Sequence, residues 1–70
     1  MNRSEFQKRY NEYRTDDKRE AEKEAEYVND LLEDGSVAAV QLPPFGWTLL
    51  LDTVWLSLLV TGEIGPENLI

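Results

Sequence analysis

The 70-residue chain has neither cysteine nor histidine. Without cysteine no disulfide can staple so short a chain, and without both residue types the usual zinc sites are excluded. The ordinary nucleophile–base pairs of hydrolases are excluded with them. A glycine-rich phosphate loop is missing, as is the alternating acidic pattern with central glycine and terminal glutamate that holds calcium. The expectation is therefore a protein that is not an enzyme and takes no cofactor or metal. The first residues, MNRSEFQKRYNEYR, contain no apolar run of the kind a secretory signal needs, which points to the cytoplasm. The Asn2-Arg3-Ser4 sequon then carries no weight, since acceptor asparagines are modified on secreted chains.

Bases are scarce and confined to one end. All seven Lys and Arg precede position 24, against 14 Asp and Glu, and the net charge is -7. That balance argues against nucleic acid as a partner and against charge-driven docking on an anionic membrane. Hydrophobic residues are divided the other way, with ten in positions 1–36 and nineteen in 37–70. A chain of this length buries only about 60% of the surface its unfolded form exposes. With no staple available, self-association or a protein partner is expected to complete it.

The first part, 1–35, reads as a charged helical segment. Ser4-Glu5-Phe6-Gln7 fits a capping box, and Phe6, Tyr10 and Tyr13 follow on one helix face. Thr15-Asp16-Asp17 offers a cap for a second helix, although one uninterrupted helix is also compatible with the pattern. Ala21, Ala25, Val28 and Leu32 form a thin apolar stripe that Tyr27 and Leu31 widen, and Gly35 is placed to stop it. Residues 36–45 read as an extended linker fixed by Pro43-Pro44, with VAAVQL at 37–42 compatible with a short strand. Residues 46–62 read as a hydrophobic helix with a glycine stop at Gly62, followed by a tail, 63–70, whose Leu69-Ile70 end folds back. The fold class expected is all-α, a hairpin-like helical protein.

The window 45–62 is 18 residues long, the lower limit for a membrane span. Its Leu, Val and Phe contribute about -3 to -5 kcal/mol to insertion while Asp52 opposes it by about 2.5 to 3.5 kcal/mol. Three threonines, a serine and two glycines tip the near-even balance toward a helix outside the membrane. The alternative is a single-pass, tail-anchored subunit of a membrane complex with its N-terminus in the cytoplasm. On the helix wheel Thr53, Ser57 and Thr61 make one small polar strip suited to water or to close contact with another helix. Trp47, Leu51, Val54, Trp55 and Leu58 make an arc, and Phe45, Leu49, Leu56, Leu59 and Val60 fill much of the rest.

Three functional readings follow. In the first, Trp47, Leu51, Trp55 and Leu58 are anchors that a helix lays into a partner's groove, with Asp52 as a specificity pair. Asp52 would then pair with Arg9 or Arg14 of this chain or with a base of the partner; otherwise it reaches solvent or caps a helix that starts later. The protein is on this reading a small adaptor, accessory protein or inhibitor of bacterial or viral type. The second is the membrane subunit. The third uses the acidic run from Asp16 to Asp34, which includes Asp17, Glu20, Glu22, Glu24 and Glu26, as a mimic of a phosphate row. The same acids equally form a solvated face that keeps the chain soluble. The basic aromatic patch of Arg3, Phe6, Lys8, Arg9, Tyr10, Tyr13 and Arg14 has the makings of a base-stacking surface, which the neighbouring acids oppose.

Overall fold

The computed structural model describes residues 1–44 and 46–70; Phe45 lies outside the described residues. Two helices come first, α1 (Arg3–Tyr10) and α2 (Lys18–Leu31), so the N-terminal segment breaks at Thr15. Asn2, two residues ahead of the expected Ser4, caps α1, and its Oδ1 accepts the Glu5 N–H at 2.8 Å. Asp17 caps α2 by accepting the N–H groups of Arg19 and Glu20, which satisfies two of the first-turn donors. Gly35 does not stop α2. The helix ends at Leu31 with Leu32 as its C-cap, and Gly35 lies three residues later in the turn that follows.

The all-α expectation is overturned by an antiparallel hairpin of β1 (Val37–Gln41) and β2 (Trp47–Leu51). Val37 faces Leu51 and Gln41 faces Trp47. The linker expected at 36–45 thus contains a strand, and residues 47–51 of the expected 46–62 helix are its partner. Strand alternation puts Val37 and Ala39 on one face with Trp47, Leu49 and Leu51, all buried. Gly46 turns the hairpin with φ +85°, and a Cβ there would lie 2.7 Å from the Thr15 carbonyl oxygen, so a side chain is excluded.

Both edges of the hairpin are partly covered. Thr15 exchanges two backbone hydrogen bonds with Trp47 along β2, at 2.9 and 2.7 Å. Leu69 bridges Val40 along β1, where the Ile70 N–H donates to the Ala39 carbonyl at 3.1 Å. The tail therefore returns to the sheet, with Ile64 buried and a short 3-10 turn at Pro66–Asn68.

α1 and α2 supply the other wall of the core. Phe6 from α1 and Ala21, Ala25 and Val28 from α2 pack with the inner face of the hairpin. Two alanines opposite Ala39 let the helix approach the strand closely, and Phe6 fills the end of the layer, stacked on Tyr10 with centroids 5.1 Å apart. These elements of the chain enclose the core residues. The chain's accessible surface is 4594 Å², near the roughly 4500 Å² typical of a folded monomer of this mass. Its radius of gyration, 11.2 Å, is likewise close to the ~11 Å of a compact domain of this length. The thin N-terminal stripes thus cover two short strands rather than a long hydrophobic helix.

Candidate protein-docking surface

β2 passes directly into α3 (Asp52–Thr61), which ends at Gly62 with φ +79° and the Gly62 N–H returned to Leu58 and Leu59 carbonyls. The glycine stop expected at this position is present, because a left-handed residue closes the last turn. α3 carries six hydrophobic side chains in ten residues, yet none of its residues is buried. Val54, Trp55, Leu58 and Leu59 are half-buried, and Val54 packs against the core. The outward residues Thr53, Leu56, Ser57, Val60 and Thr61 fall at i, i+3, i+4, i+7 and i+8, one continuous stripe. Val60 is 87% exposed and Leu56 49%. The stripe bears no charge in a protein whose composition is 30% charged.

Asp52 fixes where this helix begins. Its Oδ1 accepts from the Arg3 guanidinium at 3.1 Å and from the Thr53 N–H at 2.7 Å, and its Oδ2 accepts from the Ser36 N–H at 3.2 Å. Arg3 also lies 3.6 Å from Asp34, so one arginine ties α1 to the α2–β1 turn and to the start of α3. The partner is Arg3, not Arg9 or Arg14. Partial desolvation pushes the Asp52 carboxyl up, but the Thr53 N–H, the Arg3 guanidinium and the Ser36 N–H together outweigh it and hold it below its ordinary value.

The anchors read from the sequence separate into two groups. Trp47 and Leu51 are 7% and 4% exposed and lie inside the core, covered from within the chain. Lys18 sits over the Trp47 ring at 5.7 Å. Trp55 and Leu58 lie half-buried at the flank of α3. The Trp55 indole Nε1 is buried and has no hydrogen-bond partner among the described residues. Leu56 and Val60, the most open apolar side chains of the helix, were absent from the anchor set. A wheel drawn over 46–62 could not single them out, since it assumed one helix where five residues form a strand.

The six acids of the expected acidic surface also divide. Asp17 is a helix cap, Glu20 accepts from the Thr15 hydroxyl at 3.2 Å, and Glu24 accepts from the Tyr10 hydroxyl at 2.7 Å. Burial and the Glu24 hydrogen bond push the Tyr10 hydroxyl up to about 12. Burial and the nearby Glu20 and Glu24 carboxylates push Tyr13 up as well. Asp16, Glu22 and Glu26 are exposed, and Glu22 and Glu26 share their helix surface with Arg19 and Lys23. Bases thus interrupt the row that a phosphate mimic would need.

Among the described residues no cluster of acidic side chains could hold a metal ion, and no helix is long and apolar enough to cross a membrane. The window 45–62 is split between a strand and a helix of only ten residues. No protein-family model matches the chain, and no curated protein and no solved structure matches it.

Proposed function

We propose that this chain is a small acidic interaction module that binds and modulates a larger protein through the outward face of α3, as an adaptor, accessory protein or inhibitor. One observation carries the reading: the most apolar helix of the molecule buries no residue, and its outward stripe is free of charge. Exposed apolar stripes of this kind are costly in water and typically mark a binding surface. Thr53, Ser57 and Thr61 are small, so a partner helix can approach the α3 backbone closely while Leu56 and Val60 insert between its side chains.

The size of the helix favours a partner that encloses it. Ten residues span about 15 Å, and a flat contact along that length falls short of the roughly 800 Å² per partner of a stable interface. A groove gains further area from the half-buried Trp55 and Leu59 at the flanks. Trp55 is the residue type most often dominant in such contacts.

Site-specific photo-crosslinking in the producing cell tests this. A crosslinker in place of Leu56 is expected to give one discrete adduct that disappears when Val60→Asp is introduced. The same probe in place of Lys23 on α2 is expected to give none. A ladder of adducts identical from both positions, or no adduct from position 56, overturns the reading. An adduct of twice the chain mass would name a second copy as the partner.

A further inference from the structure

The two ends of α3 differ in how their charge is answered. At the first turn Arg3 holds the Asp52 carboxylate and lies 3.6 Å from Asp34, so acid and base meet within the chain. The last turn carries no base, and no Lys or Arg follows position 23. Glu63 follows instead, exposed, and its Oε2 accepts from the Thr61 hydroxyl at 3.0 Å, which sets the carboxylate beside the last residue of the outward stripe. Glu63 is in no ion pair among the described residues. The backbone adds acceptors of the same sign. The Glu63 and Ile64 N–H groups both return to the Leu58 carbonyl and the Gly65 N–H goes to Asn68, so the Val60 and Thr61 carbonyls accept no hydrogen bond among the described residues. The negative end of the helix dipole lies there too. A carboxylate, two unused carbonyls and the dipole thus share the end of the stripe that bears Val60, its most exposed apolar side chain.

We infer that the partner's groove, apolar where it takes Leu56 and Val60, carries an arginine or lysine at the one end that receives the C-terminus of α3; the inference rests on α3 being the docking helix. The cation meets the Glu63 carboxylate and the two free carbonyls, and the five donors of a guanidinium suit several acceptors at once. Charge complementarity then sets the direction in which α3 lies, because the Asp52 end already has its base. A second copy packed α3 on α3 does not supply the cation. Among the described residues the one base bonded to α3 is Arg3, and Asp52 and Asp34 hold it. Side by side and in register, two copies would set Glu63 against Glu63 if parallel and against Asp52 if antiparallel, while each brings a net charge of -7. An anionic membrane is opposed by the same carboxylates.

The probe is the photo-crosslinker in place of Leu56, in the producing cell, read as adduct yield in three variants of the full chain. Glu63→Gln is expected to lower the yield about two- to fivefold, the order of one exposed ion pair. Glu63→Lys, which sets like charges together, is expected to lower it at least about tenfold. Glu26→Lys on α2 changes the net charge equally and is expected to leave the yield unchanged. Folding is read separately by urea unfolding of the same chains. A base in the last turn favours the helix dipole, so Glu63→Lys is expected to unfold at the same or a higher urea concentration than the parent. A merely structural role for Glu63 would not move binding and stability apart in this way. An undiminished adduct in Glu63→Lys, an equal loss in Glu26→Lys, a parallel loss of adduct and stability in Glu63→Lys, or an adduct of twice the chain mass would each overturn the inference. Docking by α3 would survive these outcomes as long as Val60→Asp removes the adduct. No adduct in the parent would overturn docking by α3 and the inference with it.

Discussion

α2 and α3 are the two longest helices, and they use their side chains in opposite ways. α2 has eight charged residues in fourteen and buries Ala21, Ala25 and Val28; α3 has one charged residue in ten and buries none. Hydrophobic content therefore does not rank the helices by their contribution to the core. What decides is fit to the hairpin. The inner face of β1 and β2 presents Val37, Ala39, Trp47, Leu49 and Leu51, and it accepts one helix whose contact stripe is narrow and small. Ala21 and Ala25 provide that stripe, while the charges of α2 all have access to water. α3 starts where β2 ends, so it packs against the margin of the same strands and keeps an apolar side open. The molecule separates the helix that fills the core from the helix that leaves an apolar face open.

Three substitutions would break or sharpen this contrast. The largest effect is expected from Phe6→Ala, at the end of the α2 layer: a loss of about 3 to 5 kcal/mol, measured by urea unfolding, which would leave a chain this small mostly unfolded. A loss below about 1 kcal/mol would mean that the core does not lie between the N-terminal helices and the hairpin.

Asp52→Asn comes next, at the joint between the two regions. Because the folded carboxyl titrates below its ordinary value, its contribution is present in full above the unfolded value of about 4 and is lost as pH falls through the folded one. The stability gap between the parent and Asp52→Asn is accordingly expected to be constant near neutrality and to close in acid. A gap that instead widened on acidification would show that Arg3 does not hold the ionised carboxylate.

The smallest effect is expected from Val60→Gln on the open stripe, within about 0.5 kcal/mol of the parent in stability, checked by thermal and urea unfolding. A loss several times larger would place Val60 in an internal core, and the difference between α2 and α3 would disappear.

Periodicity made some of this fold legible. Of the expected stripe Ala21, Ala25, Val28 and Leu32, which stands out among charged residues, the first three are buried in α2, whereas Leu32 is its half-buried C-cap and Tyr27 and Leu31, expected to widen the stripe, are exposed. Asp17 as a cap lay among the residues of the expected second start, and Gly62 as a stop was explicit, since each depends only on the neighbouring backbone. The hairpin was not legible in the same way. Trp47, Leu49 and Leu51 alternate correctly for a strand, but Leu50 between them is apolar and the residues beyond are apolar too, so the period of two is hidden within a longer hydrophobic run. Counting the whole run as one helix put Trp47 and Leu51 among the binding anchors, although they lie in the core, and obscured Leu56 and Val60. Asp52 was visible as the odd residue in the run. Its meaning, a boundary between strand and helix, needed Arg3 and Ser36 beside it.

The sequence by itself determined the segregation of charge from hydrophobic residues, the start of α2 at Asp17, the stop of α3 at Gly62 and the absence of disulfide or histidine chemistry, because each of these is a property of composition or of a few adjacent residues. Only the tertiary structure decided that 37–41 and 47–51 pair as strands, that Arg3 answers Asp52 and that α3 is left uncovered. Those outcomes depend on which distant surfaces meet. An apolar run has no preference between helix and strand strong enough to settle the matter until a partner strand is there to take its backbone hydrogen bonds.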